Sequence, residues 1–414
     1  MSLYTRFDHY NPPIGPDGTP YEFYEALRDE ALETDTPIGW SEVYGGFWVI
    51  TGWAEAKEIQ RNTTAFSNAG TTFPTYDTPN DRPLMLAGSD DPQHAKYRKF
   101  VQARFSPGQA QSFKDRLRVV TNELIDSFVE RGRFDLADGF TNELPARLTA
   151  IMGGLPESDT GLYRTWVHAA AQLSVAKSGA SAAYIRELDE YFQAKIGEWR
   201  SRPDGDYMAM IAQGDIDGEP LTDAEVKGFF FGLLLGAIDN TSYLLASMFW
   251  RLSWDHELRR RLVRHPELLP SAIDEFLRFY SPGISGRLVL ERITLGGVTM
   301  EPGQQVVMLH QVENRDPREF EHPDVFVPDR SPNRHFALGL GIHRCLGMHI
   351  LRVEAQVMAE EFFKRIPEWR LDPDRPARWY AGQVSGMATV PIVFPPGGGL
   401  PEPGWVPGRE SAHA

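Results

Sequence analysis

A chain of 414 residues, 42% hydrophobic and 24% charged, can bury a large core, and this composition excludes a disordered, collagen-like or disulfide-stapled protein. Its 42 basic and 57 acidic side chains leave a formal charge of −15, so phosphate backbones and anionic bilayers are repelled on average and neither nucleic acid nor a membrane is an expected partner. The single cysteine, Cys345, rules out an internal disulfide and any cysteine-rich zinc or iron–sulfur site.

The first residues carry no basic start followed by an apolar run and no small-residue cleavage site, which points to the cytoplasm. Apolar residues recurring at 3.6-residue spacing predict helices near 21–32, 52–61, 92–103, 108–130, 141–152 and 159–199. Between the first two, 40–51 reads as strands around the Gly45-Gly46 turn. The stretch 68–91, rich in Thr, Pro, Asp and Gly, is long for a connection and is a candidate cover for a substrate site. Thr222 with Glu225 spells a capping box, and propensity carries one helix to about Trp254, roughly thirty residues at ~1.5 Å each. Asp239, Asn240 and Thr241 interrupt its apolar run, so it reads as a core helix and not a membrane span.

Further helices are predicted near 255–264, 267–279 and 346–364, with strands in 287–309 and 379–394. The class is therefore mainly α with a small β-rich part, an α+β protein. Residues 1–394 read as one domain, and the Pro/Gly-rich tail 395–414 is expected to be mobile.

The richest motif is Gly339-Leu340-Gly341-Ile342-His343-Arg344-Cys345-Leu346-Gly347. Its glycines permit close approach to something flat, and the thiol sits at a helix start with His343 and Arg344 nearby, an arrangement expected to lower a thiol pKa. A lone cysteine is ordinarily a buried structural residue, but the glycine cage favours a nucleophile or metal ligand. Other chemistries lose support. A dinucleotide fingerprint would need glycine at Arg344, a zinc-protease helix would need histidine at Arg260, and Gly283-Ile284-Ser285 is one residue off a nucleophile elbow.

The cysteine loop, Glu275 and Arg278 three apart on a helix, Glu313-Asn314-Arg315-Asp316-Pro317, and Gly236-Ala237-Ile238-Asp239-Asn240-Thr241 in the long helix together resemble the signatures of the cytochrome P-450 family in order and spacing. The resemblance implies a triangular helical prism with the long helix over haem b, and Cys345 as the thiolate ligand of its iron. It places Gly236, Ala237, Leu338, Gly339 and Gly347 around the haem, and His94, Arg98, Arg287 and His343 at its propionates, where charge-assisted hydrogen bonds would hold two carboxylates. It makes Glu275, Arg278 and Arg330 an ion-pair triad that serves folding.

Two positions depart from the family pattern. Leu338 stands where Phe is usual, altering packing on the cysteine side. Asn240 stands where Thr is usual over the oxygen site, with Thr241 displaced by ~100° around the helix. An amide orients water or substrate but relays protons less readily than a hydroxyl, which leaves Asp239 as the expected proton carrier.

Within the family the chain is similar to bacterial members that hydroxylate 1,8-cineole, sharing Asp-Asn-Thr in the long helix, Gly15-Pro16-Asp17-Gly18-Thr19-Pro20 and Pro332-Asn333-Arg334-His335. The implied reaction is hydroxylation of a small apolar terpenoid, with Tyr76 or Asn240 supplying one polar contact to the substrate. The chain has no flavin or iron–sulfur motif, so electrons are expected from a flavodoxin-like or ferredoxin-like protein docking near Arg334, Arg344 and Arg352. The alternatives are a peroxygenase, an oxidative demethylase of another compact ether, and a non-catalytic haem sensor.

Overall fold

The computed structural model describes residues 2–70, 84–176, 179–203, 205–397 and 399. Helices form where the apolar periodicity places them: α1 (Tyr21–Glu33), α2 (Trp53–Arg61), α3 (Gln93–Val101), α4 (Pro107–Ser112), α5 (Lys114–Asp126), α6 (Glu143–Gly153), α7 (Thr160–Ala176) and α8 (Gly179–Ser201). Two predicted helices divide. The 108–130 segment separates at Phe113 into α4 and α5, and 159–199 becomes α7 and α8. The Ser106 side chain accepts from Gln109 N–H with Pro107 in the first turn, so α4 has its own start signal.

The long helix is also two pieces, α9 (Asp223–Ala237) and α10 (Asp239–Trp254). Its start is the expected capping box, with the Thr222 side chain and backbone both paired to Glu225. Ile238 breaks it, with ψ at −71° where a regular helix has about −42°. The break falls between Gly236 and the polar Asp239-Asn240 pair, while the Ile238 side chain itself stays buried in the core. By length and composition Asp223–Trp254 is long and apolar enough to cross a membrane, but most of its apolar window is buried within the protein, as a core helix requires.

Two more helices complete the frame around the site, α11 (Leu269–Tyr280) and α12 (Met348–Arg365), the latter packed along α5. A five-stranded sheet runs in the order β1 (Ile38–Ser41), β2 (Phe47–Ile50), β5 (Gln305–Met308), β4 (Ser285–Val289), β3 (Phe66–Ser67). The Gly45-Gly46 turn joins β1 and β2, and both glycines have positive φ. A side chain on Gly46 would also run into the Trp40 ring. β2 and β5 pair in parallel with Trp48 opposite Val306, so the predicted strand clusters 40–51 and 287–309 meet in one sheet, while Ile293–Leu295 and Val298–Met300 of the second form a hairpin of their own.

One continuous apolar cluster runs from Tyr4 to Phe394, and a smaller one lies under the sheet around Ile38, Ile50, Phe66, Val289 and Val306. At the start of the predicted tail, the N–H groups of Gly397 and Gly399 donate to the carbonyls of Val129 and Arg365, each at 2.9 Å. These contacts tie its first residues to the body, and the rest of the tail lies outside the described residues.

Candidate active site

The cysteine loop is anchored at both ends. Phe336 enters the apolar cluster under the sheet and stacks on Trp53, ring centroids 4.9 Å apart, while Trp53 Nε1 donates to the carbonyl of Arg334 at 3.1 Å. Phe336 thus places an aromatic two residues before Leu338, which is itself buried. Gly339 N–H donates to Phe336 O at 2.7 Å and Cys345 N–H to Leu338 O at 2.8 Å, folding the loop back on itself. Gly339 and Gly341 take φ of +65° and +72°, and a side chain on Gly341 would meet the Gln60 carbonyl at 2.8 Å. Only glycine fits there. Gly347 is the N-cap of α12.

Cys345 is half-buried, with protein packed closely around its thiol. Burial pushes the thiol above its ordinary pKa, outweighing the hydrogen bond from Gly347 N–H and the charges of Arg98, Arg352 and Arg344. The expectation of a lowered pKa is therefore corrected. The helix start and nearby cations act in the predicted direction, but desolvation of the anion is larger. A thiolate here needs a cation brought to the sulfur, as a metal would be.

Beside it the four predicted propionate contacts come together from three parts of the chain, α3, β4 and the cysteine loop. The His94 and His343 rings lie 4.1 Å apart. Burial holds the His343 imidazole down to about 3, reinforced by His94, Arg287 and Arg98. Arg287 is buried and held down to about 10 by the same desolvation, with Nη1 donating to Gly286 O at 2.6 Å. Asp90, the carboxylate that acts on it, already accepts from Ser67 Oγ at 2.5 Å and Asn68 N–H at 2.8 Å. Arg98 and His94 are pushed down by burial as well. His94 Nδ1 lies 3.5 Å from Asp91 Oδ1, and apart from this exposed carboxylate and Asp90 the adjacent cationic groups, all driven toward their neutral forms, form a site short of anions. Two carboxylates would satisfy it, and the residues present fit the haem that the resemblance implies.

On the bend of the long helix, Gly232, Gly236 and Asn240 are accessible at i, i+4 spacing while Phe229, Phe230, Leu234 and Ile238 are buried, so one face opens inward. Beyond its own helix backbone, no atom lies within 4 Å of where a Gly236 side chain would begin, and Ala237 is half-buried. Asn240 stays on this open face and Thr241 is buried, as their 100° separation requires. Asp239 is enclosed by protein but half-exposed, and burial raises its carboxyl to about 7, with Arg164 opposing. Arg164 is held by Glu143 at 3.1 Å and Asp138 at 3.2 Å, so its charge reaches Asp239 only in part. Tyr76 lies outside the described residues.

One polar group was not anticipated from the sequence. His310 faces Ser285 Oγ through Nε2 at 2.9 Å and Glu313 Oε2 through Nδ1 at 2.7 Å. The His310–Glu313 spacing is visible in the sequence as i, i+3, but its link to Ser285 crosses the sheet and has no local signal. The predicted docking arginines differ among themselves. Arg334 pairs with Glu319 at 3.0 Å and Arg352 with Asp274 at 2.8 Å, whereas Arg344 is exposed and has no ion pair among the described residues. A shared cationic patch is thus reduced to Arg344, because local carboxylates neutralise the other two.

A family model described as Cytochrome P450 matches residues 177–376. The chain is 32% identical over 334 residues to mycinamicin IV hydroxylase/epoxidase of Micromonospora griseorubida, covering 77% of this chain and 83% of that protein. The crystal structure of CYP101J2 matches with a TM-score of 0.83 at 27% identity, over 94% of this chain and 96% of that one. CYP109E1 from Bacillus megaterium, solved in complex with testosterone, matches with a TM-score of 0.83 at 30% identity, over 92% and 98%. Similarity at this identity over most of both chains establishes that the chain belongs to the cytochrome P450 family, as a monooxygenase whose cofactor is haem b, bound in this family through a cysteine thiolate.

Proposed function

We propose that this chain hydroxylates a small apolar terpenoid, 1,8-cineole or a similar monoterpenoid, with Cys345 as the thiolate ligand of the haem iron and electrons supplied by a separate flavodoxin-like or ferredoxin-like protein. The observation that carries the haem assignment is the anion-poor cluster of His94, Arg98, Arg287 and His343 next to the sole thiol of the chain. These four would hold the propionates, with Leu338, Gly339 and Gly347 shaping the loop around the sulfur. When bound, the haem supplies dioxygen activation and oxidation of an unactivated C–H bond.

The other roles belong to side chains. Gly236 and Ala237 leave room over the cofactor, and the Asn240 amide orients the substrate or a water by hydrogen bonding. Tyr76 is the second candidate for the polar contact to the substrate. Thr241, being buried, does not stand in for the usual threonine. Asp239 holds a proton at its carboxyl near neutral pH and releases it inward, its raised pKa matching the task. Asp239→Asn is expected to lower product formation by about 100-fold, with more reducing equivalents lost to peroxide, as measured by product against NAD(P)H consumed. A coupling ratio equal to wild type would remove Asp239 from proton delivery.

The substrate class rests on the resemblance at Asp239-Asn240-Thr241, supported by the small residues Gly232, Gly236 and Ala237 beside the Asn240 amide. The names of the similar proteins range from a mycinamicin hydroxylase to a testosterone complex, so fold alone does not choose a substrate. A spin-state titration with cineole, camphor and small aromatic ethers tests the choice. A response to the monoterpenoids with hydroxylated product supports it. Silence toward them alongside a response to larger ligands contradicts it. The burial of Thr241 also favours a second reading, a peroxide-driven peroxygenase, which predicts turnover with added peroxide and none with a reductase system.

For the electron donor, Arg344 is an exposed cation of the cysteine loop with no ion pair among the described residues. Arg344→Glu is expected to slow reduction by an acidic donor about tenfold at low ionic strength and to flatten its salt dependence, read by stopped-flow.

A further inference from the structure

The group formed by Ser285, His310 and Glu313 has no part in the reading above. Ser285 and Arg287 are two residues apart on β4, so their side chains leave the strand on one face, and Arg287 belongs to the anion-poor cluster. Ser285 is half-buried while His310 and Glu313 are buried behind it. The contacts run in a line, Ser285 Oγ to His310 Nε2 at 2.9 Å and His310 Nδ1 to Glu313 Oε2 at 2.7 Å. Glu313 Oε1 has no hydrogen-bond partner among the described residues, so the imidazole is the one side chain seen to bond this carboxylate.

We propose that Ser285 donates a hydrogen bond to a haem carboxylate and that His310 and Glu313 are positioning residues that turn its hydroxyl hydrogen toward it. The inference rests on the haem reading, and hydrogen-bond valence carries it further. A carboxylate only accepts, and Ser285 has one O–H to give. For that hydrogen to point at the carboxylate, Ser285 Oγ must accept from His310 Nε2–H. Nδ1 faces Glu313 Oε2, so the pair must keep one hydrogen between Nδ1 and the carboxylate as well as the one on Nε2, and burial, which pushes the Glu313 carboxyl up, favours holding it there. Without Glu313, Nδ1 would lose its observed partner and the ring its fixed orientation. Without His310, the hydroxyl would rotate freely. Each member of the line has a reason to be there.

The test uses the haem-loaded protein and two readouts other than turnover: the rate of haem transfer to excess apomyoglobin and the midpoint potential. Ser285→Ala is expected to speed haem loss several-fold and displace the potential, with the melting temperature and the carbon monoxide spectrum of the reduced protein unchanged. Ser285→Thr, which keeps the hydroxyl, is expected to restore both values, and Glu313→Gln to displace the potential in the same direction as Ser285→Ala. Wild-type haem loss and potential in Ser285→Ala would overturn the proposal, as would equal displacement by the Ala and Thr variants. A wild-type protein showing its thiolate spectrum alongside an unaffected Ser285→Ala refutes this inference alone and leaves the haem reading standing.

Discussion

Cys345→Ser is expected to abolish the thiolate signature and reduce monooxygenase turnover by more than about 100-fold. Changing groups that only support a metal ligand already costs about 10- to 100-fold, so loss of the ligand itself should exceed that. Serine preserves the size of the side chain and the backbone bond from Cys345 N–H to Leu338 O, so the loop keeps its shape. What disappears is a soft, electron-rich sulfur donor that favours O–O cleavage, because a serine hydroxyl stays protonated at neutral pH and burial opposes its ionisation further. The fold is expected to survive, since the half-buried thiol supplies little of the core. The measurement is the spectrum of the reduced, carbon monoxide-treated variant together with product formation. A variant with the wild-type spectrum would show that the ligand lies elsewhere.

The second large effect is on stability. Glu275, fully buried on α11, accepts from Arg278 Nη2 at 2.7 Å and Nε at 2.8 Å, from Arg330 Nε at 3.1 Å, from Asn333 Nδ2 at 3.1 Å and from Val327 N–H at 3.0 Å. Arg278 in turn donates to the carbonyls of Asn314 at 2.9 Å and Pro323 at 2.8 Å. This network ties α11 to the segment that leads into the cysteine loop. Glu275→Gln leaves two guanidinium groups without their counter-ion, an error of about 3–5 kcal/mol for a buried pair. Against a total stability of about 5–15 kcal/mol, little holoprotein should accumulate.

The same carboxylate sets an acid limit. Burial alone would raise the Glu275 pKa, but the hydrogen bonds and charge of Arg278, with Arg330 assisting, hold it below the usual carboxylate range. A lowered folded-state pKa means that its stabilisation is present above the unfolded value, near 4.5, and is lost as pH falls through the folded one. Acid unfolding of wild type should therefore steepen below about pH 4.5, and Glu275→Gln should lose that component. Calorimetry across this range decides it.

Local chemistry explains what the sequence revealed. Gly339 and Gly341 announce positive φ, Thr222 and Glu225 announce a helix start, and Glu275 with Arg278 is an i, i+3 pair, so each could be read within a few residues. Asp239, Asn240 and Thr241 could be read the same way, and the accessible face of α9 and α10 follows from their helical spacing. What stayed hidden depends on distant partners. The parallel pairing of β2 with β5 joins residues about 260 positions apart. Arg334 and Arg352 looked like a free cationic patch because Glu319 and Asp274 are remote in sequence or on another helix. The break at Ile238 is a backbone departure that apolar periodicity does not encode. The direction of the Cys345 shift reversed because motif reasoning counts charges near the sulfur and does not measure desolvation.

The most direct measurement is the absorption spectrum of the purified protein after reduction with dithionite and exposure to carbon monoxide. Thiolate ligation by Cys345 predicts a strongly red-shifted Soret maximum in wild type that is missing in Cys345→Ser. A Soret maximum at the ordinary position of nitrogen-ligated haem in freshly folded wild-type protein, or no bound pigment at all, would contradict the account.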